Sequence, residues 1–409
     1  MTQPAPDQQS SAPFKVRGAV DWLWSLTKAR LPGVALAFLV GTVGAILFIW
    51  LRAPLPIFLG ALALCMVASI ARLPVLRPMS LSGPMRMVLG VAVGSAFTPA
   101  LLERAEELAL SLALIVPFSA AITWIGYLFY RHIARFDAPT AFFGSVPGGL
   151  NDMVAMAETA GANERAVTLM SATRMVLILF LVPLYIQFTS GTDVGGAVIE
   201  TIHIWEMRLI DMAVVVGLGV GGWWLGSKLG IAGAAIVGPM ILSAIVHAFG
   251  WTTAKVPTEL LILSQLTLGI LLGAQFRGVT MREFSTTIVW GLAFSVILIG
   301  ISIAVAWFVS EWTGANKISV LFAYAPGGQA ELNLLALILQ LDVAFIALHH
   351  LLRVAAVIIG AQIVFRLNPS WRTRKANDDA KGAVKTGATG GTHDGRRLSE
   401  ESAEDSGDR

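Results

Sequence analysis

The 409 residues are 56% hydrophobic and only 13% charged, with a mean hydropathy of +0.72, which excludes a soluble domain and specifies a polytopic membrane protein. The net charge of +3 resides in short flanks and loops, so it bears on membrane orientation and excludes a face that reads nucleic acid. The single Cys65 excludes an internal disulfide and a thiolate metal cluster.

In chain order, residues 1–30 form a flank carrying Lys15, Arg17, Lys28 and Arg30, and Pro32 opens an apolar run too long for a signal sequence. An uncleaved first helix is expected. Twelve apolar segments follow, each near the ~20 residues that cross a bilayer. In the first membrane repeat, 31–188, they cover 31–51, 54–71, 84–102, 106–130, 138–157 and 164–188. A mixed stretch, 189–207, reads as an interfacial linker. In the second repeat, 208–367, the segments cover 208–227, 231–250, 257–277, 284–310, 317–338 and 340–366. Residues 368–409 are polar, rich in Gly, Asp, Arg, Ser and Glu, and read as a disordered tail.

The two halves share a motif. Pro147-Gly148-Gly149 is followed by Asp152 and Arg174, and 179 residues later Pro326-Gly327-Gly328 is followed by Glu331 and Arg353. The same offset carries Leu89, Gly90, Gly94 and Phe97 onto Leu268, Gly269, Gly273 and Phe276. The expected fold is therefore an all-α polytopic membrane protein of two homologous repeats, about six transmembrane segments each, with a broken helix at each Pro-Gly-Gly. Six true spans would make the copies parallel. A re-entrant segment, or a linker that crosses, would invert the second copy, and both arrangements stay open at this point. The glycines four apart point to close helix packing, and Trp22, Trp24, Trp50, Trp251 and Trp312 near span ends to an interfacial belt.

Orientation follows from the first half. With the N-terminus cytoplasmic, nine Lys/Arg fall inside, from Lys15 to Arg135, against Arg52, Arg104 and Arg165 outside. The second half is balanced. The expected location is a bacterial-type inner membrane, multi-pass.

Pro-Gly-Gly inside a span stops a helix: proline lacks an N–H and crowds the preceding turn, and glycine adds backbone freedom. Broken backbone at membrane depth survives only where protein or a watery cavity surrounds it. The half-helices starting near Gly149 and Gly328 would aim unpaired N–H groups there, a subsite for an anion. Asp152 and Arg174 flank the turn at Gly161-Ala162-Asn163 about ten residues to either side, hence ~15 Å deep, near the midplane of a ~30 Å core. Glu331 and Arg353 lie equally far from the turn near Gln340. Each copy can thus place a carboxylate beside a guanidinium. Two buried salt bridges pinning the segments would use the same four charges. Asn151 and Ser145 in one copy, and Gln329, Asn333 and Tyr324 in the other, favour a site. His350, with His349, stands one turn before Arg353, and one of the two can reach the cavity. Adjacent histidines point ~100° apart on a helix and make a poor metal pair, so neither metal nor cofactor is expected.

These residues carry a resemblance. The repeated Pro-Gly-Gly-x-x-Asp/Glu followed by Arg, over about 54–366, resembles the AbrB membrane-protein family, whose members also carry the labels ammonia monooxygenase or regulator. In that family each copy is a duplication domain, and Pro147, Gly148, Gly149, Asp152 and Arg174 match it, as do Pro326, Gly327, Gly328, Glu331 and Arg353. The family is similar to the group of cation–proton antiporters and anion transporters, which implies a secondary transporter built on crossed broken helices. The expected function is coupled movement of a small anionic or zwitterionic solute with H⁺ or Na⁺, and not catalysis. The solute site would comprise the two Pro-Gly-Gly turns, Asn151, Asp152, Arg174, Gln329, Glu331, Asn333, His350 and Arg353. The partners are then the solute, the coupling ion and the bilayer, with no nucleic acid; homo-oligomers stay open. The alternatives are a membrane protein acting indirectly on gene expression and, weakest, a membrane monooxygenase, for which no ligand cluster is visible.

Overall fold

The structure, a computed structural model, describes residues 31–99, 105–148, 150–190, 202–368 and 371. The flank 1–30, most of the linker and nearly all of the polar tail lie outside these residues. Helices and their connections make up the whole of what is described, with no strand among it. The first half holds α1 (Leu31–Trp50), α2 (Pro56–Ile70), α3 (Met79–Gly94), α4 (Ala105–Leu128), α5 (Ala138–Ser145), α6 (Leu150–Thr159) and α7 (Glu164–Ser190). The second holds α8 (Leu209–Lys228), α9 (Ala234–Ala248), α10 (Thr258–Gly273), α11 (Val289–Thr313), α12 (Lys317–Tyr324), α13 (Gln329–Ile338) and α14 (Val343–Leu367).

Seven of these stretches are long and apolar enough to cross a bilayer, from Leu31–Trp50 to Val343–Leu367, so the chain is a multi-pass membrane protein. The expected segments shorten in two ways. The helix expected over 84–102 instead runs from Met79 to Gly94. The segments expected over 138–157 and 317–338 each become two short helices, split at the prolines.

Two compact units share the chain, and each draws on both halves. The first takes Met1–Glu103, Leu179–Thr280 and Ala330–Ala344. In it α1 packs on α2 and α8 on α9, while α3 crosses over to α9 and α10 to α2. Glycine permits the crossovers. A Cβ at Gly90 or Gly94 would stand 2.4 and 2.5 Å from the carbonyls of Ile236 and Met240; at Gly269 or Gly273 it would stand 2.5 and 2.4 Å from those of Phe58 and Leu62. Any side chain would force these helices apart. Met85 and Ser264, 179 positions apart, touch each other at 3.5 Å (Ser264 Oγ to Met85 Sδ). Cys65 is buried here among Ala37, Ala61 and Ile270, as a small apolar residue. Trp50 and Trp251 are exposed at helix ends, where an interfacial belt belongs.

The turn before α8 is tied to the start of α10: His203 Nδ1 lies 2.7 Å from Glu259 Oε1, and Ile204 N–H donates to the other carboxylate oxygen at 3.0 Å. The bond to Glu259 raises the His203 pKa above the ordinary histidine value. A raised folded value means that this stabilisation is complete below the ordinary value and is lost as pH rises through the raised one. The melting-temperature deficit of His203→Ala is accordingly expected to be largest at mildly acidic pH and to shrink on the alkaline side. A deficit independent of pH would contradict it.

The second unit takes Arg104–Ile178, Met281–Gln329 and Phe345–Arg409. Its helices α4, α5, α11, α12 and α14 bury Phe129, Tyr130 and Phe294 in ring contacts of 5.0 to 5.5 Å. A further cluster joins Phe142, Phe143, Met153, Ala157, Val357 and Trp371. This unit contains both Pro-Gly-Gly turns.

Candidate functional site

Both interrupted segments are built alike. Asp137 caps α5, its carboxylate accepting from the backbone N–H of Thr140 at 3.0 Å, and Asn316 caps α12 by accepting from Ile318 and Ser319. Each helix then runs eight residues and stops. The stop is the proline. A residue before proline is driven from helical to extended geometry, and Val146 (φ −62°, ψ 125°) and Ala325 (φ −60°, ψ 126°) both obey. The chain resumes helix at Leu150 and Gln329.

One hydrogen bond decides the path of the first segment. The backbone N–H of Asn163, beyond the end of α6, donates to Thr140 Oγ1 at the start of α5 at 2.8 Å. A helix running straight through residues 140–163 would separate these atoms by over ~30 Å. Helices α5 and α6 therefore form a hairpin that enters and leaves on one side, with Val146-Pro147-Gly148 at its tip. At ~1.5 Å per residue the tip is ~12–15 Å from the mouth, half the thickness of a ~30 Å hydrocarbon core. The turn at Gly161, with φ 66°, returns the chain to α7.

Ending a helix at that depth leaves its last carbonyls without partners or water. Arg174, on α7 and 2% exposed, supplies donors: Nη1 to the carbonyls of Gly144 (3.3 Å) and Ser145 (3.2 Å), Nη2 to that of Val146 (3.0 Å). Arg353, on α14 and 1% exposed, does the same for the second tip, Nη1 to Ala325 (2.6 Å) and Nη2 to Gly327 (3.3 Å). A cation at a helix C-terminus also meets the negative end of the helix dipole. Backbone carbonyls thus engage the guanidinium of Arg353. Glu331 is buried and belongs to the first unit, Arg353 to the second. Gly149 and the side chains of Asn151 and Asp152 lie outside the described residues.

The first tip packs against α14 inside the second unit. A Cβ at Gly148 would stand 3.1 Å from Val357 Cγ1, one turn beyond Arg353 on α14. Around the second tip the wall is more polar. His350, fully buried, faces the carbonyl of Phe322 with Nε2 at 2.9 Å. A carbonyl only accepts, so Nε2 is assigned the proton and Nδ1 its lone pair. His349 is held in the other tautomer by the Phe345 carbonyl, and its Nε2 takes the hydroxyl of Ser111 at 2.7 Å. Tyr324 donates to the carbonyl of the same Ser111 at 2.6 Å. In the first copy Met170 and Ser171 occupy the histidine positions.

Three buried side-chain nitrogens here find no hydrogen bond among the described residues: Gln329 Nε2 and the Nε of both Arg174 and Arg353. In the first unit, both amide atoms of fully buried Asn333 are equally unmatched. Leaving a buried polar atom without a hydrogen bond costs about 1–3 kcal/mol. Among the described residues no three histidine, cysteine, aspartate or glutamate side chains converge as metal ligands. Ser111 is the participant that carries no mark in the sequence, being one serine in an apolar helix.

The sequence profile of the family described as "Transition state regulatory protein AbrB" matches residues 58–368. The chain belongs to the AbrB family. Among similar members of known proteins, "Uncharacterized protein YhjN" of Bacillus subtilis (strain 168) is 27% identical over 302 residues, 69% of this chain and 77% of that protein. The protein named "Putative regulator AbrB" of Escherichia coli (strain K12) is 22% identical over 332 residues, 80% of this chain and 94% of that one.

Proposed function

We propose that this AbrB-family protein is a secondary transporter of the inner membrane that moves a small anionic or zwitterionic solute in exchange or symport with H⁺ or Na⁺. The observation that carries this reading is the pair of arginine-capped helix interruptions in one unit, ringed by buried polar atoms without partners. A purely structural role needs the caps and gives no reason for the unmatched polar atoms. In this reading the starts of α6 and α13, with Arg174 and Arg353, hold the negative group of the solute. Asp152 and Glu331 carry the coupling ion, and Gln329 and His350 are polar neighbours of Arg353 within the second unit.

The two halves are then copies related by inversion. With α5–α6 folded back, and α1, α2, α3, α4 and α7 each taken as a crossing, the described part of the first half crosses an odd number of times and the second half begins on the opposite side. The reciprocal crossover of α3 to α9 and α10 to α2, with Met85 against Ser264, fits a two-fold axis through that contact. Folding the hairpin back also moves Arg165 to the side of its ion-pair partner Glu283 and of Arg131 and Arg135, which strengthens the positive charge of the cytoplasmic side. The relative named as a regulator is compatible with this activity if an effect on gene expression follows from the metabolite moved.

A thermal-shift screen of the purified protein against organic acids and amino acids tests the proposal. A true solute at a hundred times its Kd stabilises the folded state by about 2.7 kcal/mol, a shift of several degrees. The shift is expected to vanish in Gln329→Leu. A stabilising acid whose effect survives that change would bind elsewhere and count against the site.

A further inference from the structure

The second unit also holds a cavity of about 520 Å³ that the transport reading does not use. It lies between α4 and α14, both bilayer-spanning, with Phe142 and Val146 of the hairpin as its floor. Along α4 it runs from Val116 to Tyr127 and along α14 from Ala356 to Asn368, eleven and twelve residues. At ~1.5 Å per residue that is ~16–18 Å, the depth of one leaflet of a ~30 Å core.

Its polarity is graded. At the deep end stand Val116, Val357 and Val146. Halfway up, the hydroxyls of Ser119 and Thr123 are turned into their own helix, onto the carbonyls of Ile115 and Ser119 at 2.7 Å each, so they present carbon to the cavity. Only the shallow end, with Tyr127, Asn368 and Trp371, offers polar tips. Cations follow directly. Exposed Arg131 stands one helical turn beyond Tyr127, and exposed Arg366 two residues before Asn368. The neighbouring surface of the same helices is apolar and exposed, at Trp124, Ile359 and Ile363, so the mouth opens toward hydrocarbon.

We propose that this cavity is a binding site for one anionic phospholipid, with an acyl chain lying along α4 and α14 and the headgroup among Arg131, Arg366 and the Trp371 rim. Leaflet-deep apolar walls under a basic edge match that molecule and no water-soluble solute. The site rests on the membrane-spanning character of the chain alone, so it stands whether or not the protein transports anything. Because the cavity backs directly onto Val146 and Val357, a seated chain buttresses the hairpin tip.

Gly360 lines the cavity, and a Cβ built there meets nothing within 4 Å, so a larger side chain enters empty space and not backbone. Gly360→Leu also replaces glycine inside a helix, which favours folding. The full chain, purified in detergent and titrated with dioleoyl-phosphatidylglycerol, is expected to show one tightly held lipid by native mass spectrometry. Gly360→Leu and Ala120→Trp should weaken it at least tenfold. The surface pair Arg131→Gln with Arg366→Gln should lower the preference for phosphatidylglycerol over phosphatidylcholine by a similar factor, with unchanged elution volume. Undiminished binding in the filled variants, or equal binding of the two lipids by the unaltered protein, would overturn the proposal.

Discussion

Arg174→Ala is expected to lower the stability of the protein by on the order of 3 kcal/mol, and Arg353→Ala by a similar amount, because each arginine supplies the hydrogen-bond donors that a helix stopped short by proline lacks. Arg174 donates to three of them and Arg353 to two, all at the ends of helices stopped by proline inside the membrane. Truncation strands these acceptors beside a vacated space. Lysine should restore only part of the loss, since one ammonium cannot fork over two or three carbonyls as a guanidinium does. Denaturant-induced unfolding in detergent checks this, with elution volume as a control. Unchanged midpoints in both alanine variants would mean that the interruptions are held by something other than these caps.

Glu331→Gln is the second large effect. If the carboxylate carries the coupling ion, an amide of the same shape keeps the wall but binds no proton and balances no cation. Net uptake of the solute into proteoliposomes is expected to fall at least tenfold, about 1.4 kcal/mol of lost coupling. Exchange of solute across the membrane, which needs no net movement of the ion, should survive. Asp152→Asn should behave alike. Full coupled uptake in both variants would remove the carboxylates from the mechanism and leave the arginines as purely structural.

What was legible beforehand, and what was not, follows from the kind of interaction involved. The two interruptions were visible because proline acts through its own covalent ring, and its consequences at Val146 and Ala325 are local. The glycines at 90, 94, 269 and 273 were visible as packing residues because a missing Cβ has few other uses at that spacing; their partners, the carbonyls of Ile236, Met240, Phe58 and Leu62, were not. The fold-back of the first hairpin depends on Thr140 and Asn163, two ordinary polar residues whose meeting only three-dimensional structure discloses. For the same reason the carbonyl partners of Arg174 and Arg353 were not legible, since side chains leave a trace in sequence and backbone carbonyls leave none. Ser111 and His349 are 238 residues apart, beyond any pattern. Helices α2 and α3, at 15 and 16 residues, fall short of the ~20 used to mark a span, so periodicity found them but misjudged their ends.

The central claim is that water and a polar solute reach the second interruption at the depth of Arg353. Cysteine labelling addresses it directly, because the chain has a single native cysteine, the buried Cys65, which serine can replace. Gln329→Cys in that background should react with a membrane-impermeant thiol reagent, and a stabilising solute should slow the reaction. Ile359→Cys, on the exposed apolar surface of α14, should remain unlabelled. Labelling of Ile359→Cys but not of Gln329→Cys, or of neither, would place the interruption in a dry interior and contradict the account.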